Sequence, residues 1–142
     1  QLTRWGISIF NTSKAFVTSP DVAPHLTAIL DSGATGTFVT LADAQHLRNP
    51  TPFTTGPTVL SASGTPMSST MSGQLPLSPH LSTTAQAALV LDDLQTGTLI
   101  SLAQLCDDDC TALFSKYNVQ IIKNDHVIIT GRRMPKGLWS IP

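Results

Sequence analysis

The sequence is poor in charge and in cysteine, and it has no long hydrophobic run. Lys and Arg total 8 and Asp and Glu total 9, so the formal net charge is -1. A chain without an excess of basic residues is a poor candidate for nucleic-acid binding. No apolar run approaches the roughly 18 residues that span a bilayer, and no signal-peptide core follows the first residues. We therefore expect neither a membrane nor a nucleic acid as a partner of this domain.

The chain begins with Gln1 rather than with Met. Such a start is typical of a segment that has been cut or excised from a longer polypeptide, and a mature segment of a polyprotein would look like this. The small basic cluster formed by Arg132, Arg133 and Lys136 is interpreted as a solvated turn, since so few cations rarely suffice to hold nucleic acid.

Only two cysteines occur, Cys106 and Cys110, which excludes a disulfide scaffold. Their spacing resembles half of a zinc site, with His126 downstream, but no second Cys/His pair follows at the usual spacing. We expect free thiols in a reducing compartment, with Cys106 in the core. The four His residues are interpreted as surface or loop residues. We expect no metal ion and no cofactor.

Abundant Thr, Val and Ile, together with ten Pro and nine Gly, favour short strands joined by turns. We predict an all-β fold with one or two short helices. The helices are expected at 41–47 and at 101–106, the second with Ser101 as its N-cap. A hairpin turn is expected at Asn124-Asp125. Loops are predicted at 49–58 and 78–84, and strands at 6–10, 14–18, 26–30, 37–40, 57–62, 69–77, 85–91, 111–114, 119–123, 126–130 and 137–141.

The clearest chemical signal lies at residues 28–35, which read Ala-Ile-Leu-Asp-Ser-Gly-Ala-Thr. An apolar strand that ends in Asp31 would hold a carboxylate rigidly at the floor of a cleft. Ser32 could hydrogen-bond across to the matching loop of a partner. Gly33 allows a sharp turn that exposes an N–H toward the carboxylate, and Ala34 lets the loop pack closely. The alternative interpretation is a strand-ending Asx turn without catalytic meaning.

This string resembles the active-site loop of retropepsin-like aspartic proteases, in particular those of copia-type LTR retrotransposon polyproteins. Further segments follow in the order of that family. Residues 59–75 are similar to a flap hairpin, and 89–94 to the strand that follows the flap. A second motif of two apolar residues and a Ser is similar to the one that precedes the family's C-terminal helix. The flap tip is Ala62, Ser63, Gly64 and Thr65, and the second motif is Leu99, Ile100 and Ser101.

The resemblance implies a retropepsin-like acid protease barrel with one lobe per chain. The protease core would cover 1–110, and 111–142 would be a strand-rich C-terminal extension that could belong to the same domain. Asp31 would be the single catalytic carboxylate. The active-site loop would be supported by Ser32, Gly33, Ala34 and Thr35, the flap tip would contact the substrate, and the second motif would support the site.

One carboxylate is half of what peptide hydrolysis by water requires, since the reaction needs a base and an acid. The chain contains a single Asp followed by Ser or Thr and then Gly. We therefore expect a C₂ homodimer in which Asp31 faces its symmetry mate. The terminal segments 1–10 or 137–142 could form the dimer contact. By the resemblance, the substrate would be the chain's own gag-pol polyprotein, cut in the cytoplasm or inside virus-like particles.

Two other interpretations remain open. The first is a catalytically inactive retropepsin-fold module for dimerisation or peptide binding, in which the flap strands hold a peptide by β-augmentation. The second is an unrelated β-barrel in which Asp-Ser-Gly occurs by chance. The intact Asp31-Ser32-Gly33 favours the active enzyme over the first of these, since an inactive site has no need of all three residues.

Overall fold

The computed structural model describes residues 8–9, 26, 28–134 and 139–140. Over these residues the chain is built mainly from strands, and the prediction of an all-β fold with one or two short helices is confirmed. No helix in this part of the chain is long and apolar enough to cross a bilayer. The strands are β1 Ser8–Ile9, β2 Ala28–Asp31, β3 Thr37–Val39, β4 Arg48–Pro52, β5 Thr58–Leu60, β6 Pro66–Gln74, β7 Ala87–Leu91, β8 Thr98–Ser101, β9 Thr111–Phe114, β10 Asn118–Lys123, β11 His126–Arg133 and β12 Trp139–Ser140; the helix α1 is Leu102–Cys106, and a 3₁₀ turn covers Ala42–His46.

The strands form one sheet in the order β4-β6-β7-β3-β8-β2-β1-β12-β11-β10-β9, and β5 pairs with β6 beside this path. Over the described residues, the two ends of the path do not meet, because β4 pairs only with β6 and β9 only with β10. The sheet is therefore open, and the closed barrel that the resemblance implied is not formed.

The centre of the sheet consists of β2, β8, β3 and β7. β2 runs parallel to β8, and β3 runs parallel to β7. Their side chains are buried along almost the whole length of each strand, as in strands that are covered on both faces. The largest fully buried side chains here are those of Leu30, Val39, Val90, Leu91 and Ile100. This rigid centre carries the residues of the candidate site at the ends of its strands.

The C-terminal strands form an antiparallel meander, with β10 between β9 and β11. Asn124 and Asp125 connect β10 to β11 with φ angles of 51° and 61°, so the predicted hairpin turn is confirmed. Val119, Ile121 and Ile129 belong to the same hydrophobic cluster as the central strands. The meander thus packs on the common core, while the domain boundary at residue 110 stays a prediction.

Some strand predictions differ from the structure. The sequence predicts a loop at 49–58, but Arg48–Pro52 forms the fully exposed strand β4. Pro50 and Pro52 interrupt a central strand but are tolerated at an edge, where one side of the strand has no partner. The strand predicted at 69–77 begins earlier, because β6 starts at Pro66. The strand predicted at 14–18 lies outside the described residues.

The structure places the two cysteines in different environments, and only the position of Cys106 was predicted. Cys106 is exposed and Cys110 is buried, so the prediction of Cys106 in the core is wrong. The inward position of α1 is taken by Leu105, which is 1% exposed, and the next residue along this short helix faces away. Both cysteines are free.

Candidate active site

Asp31 is the last residue of β2 and lies in the middle of the sheet. In the parallel pair of β2 and β8 its register partner is Ser101. Its side chain is 2% exposed, and the N–H of Gly33 donates a hydrogen bond of 2.8 Å to its Oδ1. An Asx turn alone would make the same hydrogen bond. The case for a site therefore depends on what surrounds the loop.

Burial dominates the electrostatics of this carboxyl group. It raises the pKa of Asp31 above its ordinary value, and the hydrogen bond from the Gly33 N–H, which lowers the pKa, opposes burial less strongly. A carboxyl group of this kind keeps its proton to a less acidic pH than an exposed aspartate does. Such a group is suited to donate or to share a proton, which is the behaviour that acid-base catalysis needs.

The structure brings the second motif directly against the loop that follows Asp31. The Ser101 hydroxyl donates a hydrogen bond of 2.8 Å to the carbonyl oxygen of Ala34. The Ser101 N–H donates to Oγ1 of Thr37 at 3.1 Å, and the Ser101 oxygen accepts from the N–H of Gln104 at 3.1 Å. The predicted N-cap of α1 is thereby confirmed. Because Ser101 is fully buried, these bonds fix the loop in position.

The flap segment forms a hairpin from β5 and β6, closed by a loop at 61–65. The N–H of Ser61 donates to the carbonyl oxygen of Thr65 at 2.8 Å, and the N–H of Gly64 donates back to that of Ser61 at 2.9 Å. Gly64 has a φ of +83°, a conformation that favours glycine. The hydroxyl of Ser63 lies 3.0 Å from that of Ser61 and 3.2 Å from that of Thr65. The tip is thus a tight turn held by its own polar groups.

A cavity of about 710 Å³ is lined both by the hairpin and by the loop after Asp31. Gly33, Ala34 and Thr35 of that loop belong to the lining, as do the flap residues Ala62, Ser63 and Thr65. Residues 93–96 and Leu99 also contribute to it. Five of the site residues named from the sequence do not line the cavity. They are Asp31, Ser32, Gly64, Ile100 and Ser101.

Sequence reasoning missed several residues that shape this cavity. Phe38, on β3, forms a small buried cluster with Ala34 and Leu91, and Val59 and Met67 from the flap pack against it. Asp93, in the connection between β7 and β8, also lines the cavity. The segment 89–94 resembles the strand that follows the flap in the family, but no local pattern in it predicts that Asp93 lines a cavity.

Within the described residues, the chain therefore has one buried carboxyl group, a loop held by Ser101, and a cavity of about 710 Å³ that the flap hairpin helps to line. Among the described residues, no group of three or more His, Cys, Asp or Glu side chains could hold a metal ion. The chemistry that these residues can support is proton transfer by Asp31. Comparison with protein-family models, with curated proteins and with solved structures found no match for this chain.

Proposed function

We propose that the chain is one subunit of a homodimeric aspartic endopeptidase that processes a retroelement gag-pol polyprotein. Asp31 of each subunit would supply one half of the catalytic dyad. The observation that carries the proposal is the setting of Asp31. It is buried at the end of a central strand, and the loop that follows it lines a cavity that the flap hairpin also lines.

The proposed mechanism uses two carboxyl groups that share one proton. Two carboxyl groups a few Å apart cannot both be ionised, because their charges repel each other. Burial already disfavours the charged form of Asp31. The ionised group takes a proton from a water molecule, whose oxygen bonds to the scissile carbonyl carbon. The protonated group gives its proton to the carbonyl oxygen. A proton then passes from the dyad to the amine nitrogen, and the C–N bond breaks as a hydroxyl group of the tetrahedral intermediate gives its proton to the dyad, which returns to its singly protonated form.

The pairing of the terminal strands bears on how two copies would meet. Within one chain, β1 lies between β2 and β12, and β12 lies between β11 and β1. The described parts of both termini therefore already use both of their edges. This favours a dimer contact through the loops at 31–35, where Ser32 is exposed beside Asp31, over a contact made by strand exchange at the termini.

The test is the substitution Asp31→Asn, which keeps the side-chain oxygen that accepts from Gly33 but removes the titrating group. Purified parent and variant are incubated with peptides from the flanking polyprotein, and products are identified by mass spectrometry. The parent is expected to cleave and the variant to lose all measurable cleavage, while both sediment as dimers. Asp125→Asn, in the exposed turn between β10 and β11, is the matched control and should cleave like the parent.

Two outcomes would contradict the proposal. Cleavage by Asp31→Asn at the parental rate would exclude Asp31 from the chemistry. A parent that binds peptides in the cavity as a dimer but cuts none of them would favour the peptide-binding module instead, because the flap and cavity would then serve recognition alone.

A further inference from the structure

Among the described residues, the lining of the cavity that the flap contributes to is mainly apolar and includes one charged side chain. Phe38, Val59, Met67 and Leu94 are among its walls, and Asp93 is the one charged residue among the described residues that line it. A cavity of this kind accepts a large apolar group, and its few polar groups decide which ligand is oriented correctly. Asp93 is therefore the described lining residue that can select ligands by their charge.

Asp93 is exposed, and it forms no ion pair with a cation among the described residues. Its backbone carbonyl accepts from the side-chain amide of Gln95 at 3.3 Å, and the ion pair found within the described residues joins Lys123 to Asp108. The neighbouring Asp92 differs, because its carboxylate accepts a hydrogen bond of 2.8 Å from the hydroxyl of Thr70 and lies outside the cavity lining. The carboxylate of Asp93 is thus available to a ligand, whereas that of Asp92 is bonded to Thr70 of β6.

We propose that Asp93 selects polypeptide substrates in which a Lys or Arg stands close to a large apolar side chain. The apolar side chain would fill the space between Phe38 and the flap, and the cation would pair with Asp93 at the rim. The long apolar stem of Lys or Arg can lie along the cavity wall while its charged end reaches the carboxylate. This inference rests on the proposed function and names the substrate class of the same site.

The expected preference is modest, because Asp93 is exposed and salt screens its charge. An ion pair at such a position corresponds to roughly a two- to fivefold change in affinity, and the change is expected to shrink as the salt concentration rises. In a homodimer the carboxylate occurs twice. Basic residues on either side of the scissile bond are therefore favoured.

The experiment uses a pair of fluorescein-labelled octapeptides that differ only in a Lys or a Gln beside a central Leu. Binding is measured by fluorescence anisotropy with the full chain carrying Asp31→Asn, so that the peptide is not consumed. Cleavage of the same two peptides is measured with the parent as kcat/KM. We expect the Lys peptide to be preferred in both assays, Asp93→Asn to remove the preference, and Asp93→Lys to reverse it in favour of the Gln peptide. Asp92→Asn is the matched control and should keep the preference for Lys.

The outcomes separate this inference from the proposed function. Equal binding of the Lys and Gln peptides by the Asp31→Asn chain, or a Lys preference that survives Asp93→Asn, overturns the role of Asp93. A Lys preference in binding without cleavage by the parent supports Asp93 and overturns the protease proposal. Cleavage of both peptides at equal kcat/KM supports the protease and overturns Asp93. If no peptide binds or is cut, both proposals fall.

Discussion

The hydroxyl of Ser101 donates a hydrogen bond of 2.8 Å to the carbonyl oxygen of Ala34, which lies 67 residues earlier in the chain. The same oxygen atom accepts from the N–H of Gln104 and so caps α1. One buried side chain therefore ties the loop after Asp31 both to β8 and to the start of the helix. A hydroxyl that serves two partners in a buried place is costly to remove, because both partners lose their hydrogen bond at once.

Replacing Ser101 by Ala should therefore destabilise the fold and loosen the loop. We expect the free energy of unfolding to fall by about 1–3 kcal/mol, since a buried carbonyl loses its donor and a helix loses its N-cap. Urea unfolding followed by fluorescence measures the change, and peptide cleavage should fall with it. The control is Ser68→Ala, an exposed serine of β6, which should change stability by less than about 0.5 kcal/mol. Equal stability of the two variants would show that the Ser101 bonds contribute nothing.

The raised pKa of Asp31 makes a specific prediction about stability and pH. The folded state holds the proton of Asp31 more tightly than the unfolded state does, so this group stabilises the fold fully below its ordinary pKa of 3.8. The contribution is lost as pH rises from there through the raised pKa of the folded state. Asp31→Asn removes this loss. The variant should be more stable than the parent at neutral pH, and the difference should shrink as pH falls to 3.8 and below.

Thermal unfolding of both proteins across a pH series measures this difference. Asp125→Asn is again the control, since it removes one exposed carboxylate from a turn in which Asn adopts the same positive φ. It should not reproduce the gain at neutral pH. A gain for Asp31→Asn that is equally large at every pH would mean that burial of the charge is not its cause.

An ion pair joins the turn after α1 to β10. It predicts that the stability of the fold depends on pH in the direction opposite to that for Asp31. Lys123 Nζ lies 2.8 Å from Oδ2 of Asp108. This contact, assisted by the backbone N–H of Ser82, lowers the pKa of Asp108 to about 2. The carboxylate should stabilise the fold above its ordinary pKa of 3.8, and this contribution should be lost as pH falls toward 2.

Asp108→Asn should therefore be less stable than the parent at neutral pH, and the two should converge in acid. Melting temperatures over a pH series test this, and added salt should narrow the gap at neutral pH because the pair is near the surface. Lys123→Met should show the same loss, and the double variant should lose little more than either single variant. Additive losses in the double variant would mean that the two residues act separately.

Gly56 supports the base of the flap by leaving room for Ser69. A Cβ at Gly56 would collide with the backbone oxygen of Ser69, and it would lie 2.6 Å from the Ser69 Oγ and 2.7 Å from the ring of Phe53. The hydroxyl of Ser69 donates to the carbonyl oxygen of Pro57 at 2.7 Å, so the space is closed by a bonded group. We expect Gly56→Ala to lower stability by about 1–3 kcal/mol through overpacking, as measured by urea unfolding.

Gly64→Ala at the flap tip is the informative comparison. A Cβ there meets no atom within 4 Å, so only its φ of +83° makes Ala unfavourable. The cost is expected to be about 1 kcal/mol from the left-handed backbone alone. If Gly64→Ala were more damaging to stability than Gly56→Ala, the packing at the base of the flap would not be what limits this hairpin.

Local patterns predicted the elements whose sequence signals are local. The turn at Asn124-Asp125 and the N-cap at Ser101 follow from residues that lie next to each other, and both are present. Strand β4 was missed because Pro50 and Pro52 argue against a strand, whereas its pairing with β6 decides the outcome. Strand β8 was missed because its short apolar run merges into the helix that follows it.

The candidate site was predictable only in part for the same reason. Asp31 and its loop lie within one stretch of eight residues, and the flap tip lies within another short stretch. Each could therefore be named from neighbouring residues. The cavity wall is different, because Phe38, Met67 and Asp93 come from separate strands and connections that the fold brings together. No pattern in a single sequence predicts that these residues line one cavity, because each of them resembles an ordinary core or loop residue in its local sequence. The burial of Cys106 was predicted wrongly because a helix of one turn and a half is too short to fix which of its positions face the core.

The neighbouring position of β1 and β12 has a consequence for the order in which the molecule assembles. Ser8 pairs with Ser140, so the strand beside the one that carries Asp31 is itself paired with a strand that lies far later in the sequence. Contacts between such distant positions form late and slowly, because a long loop has to close first. During translation, the strand next to Asp31 would lack its outer neighbour until the residues of β12 have emerged. Folding kinetics alone would then delay the completed site until that part of the sequence is available.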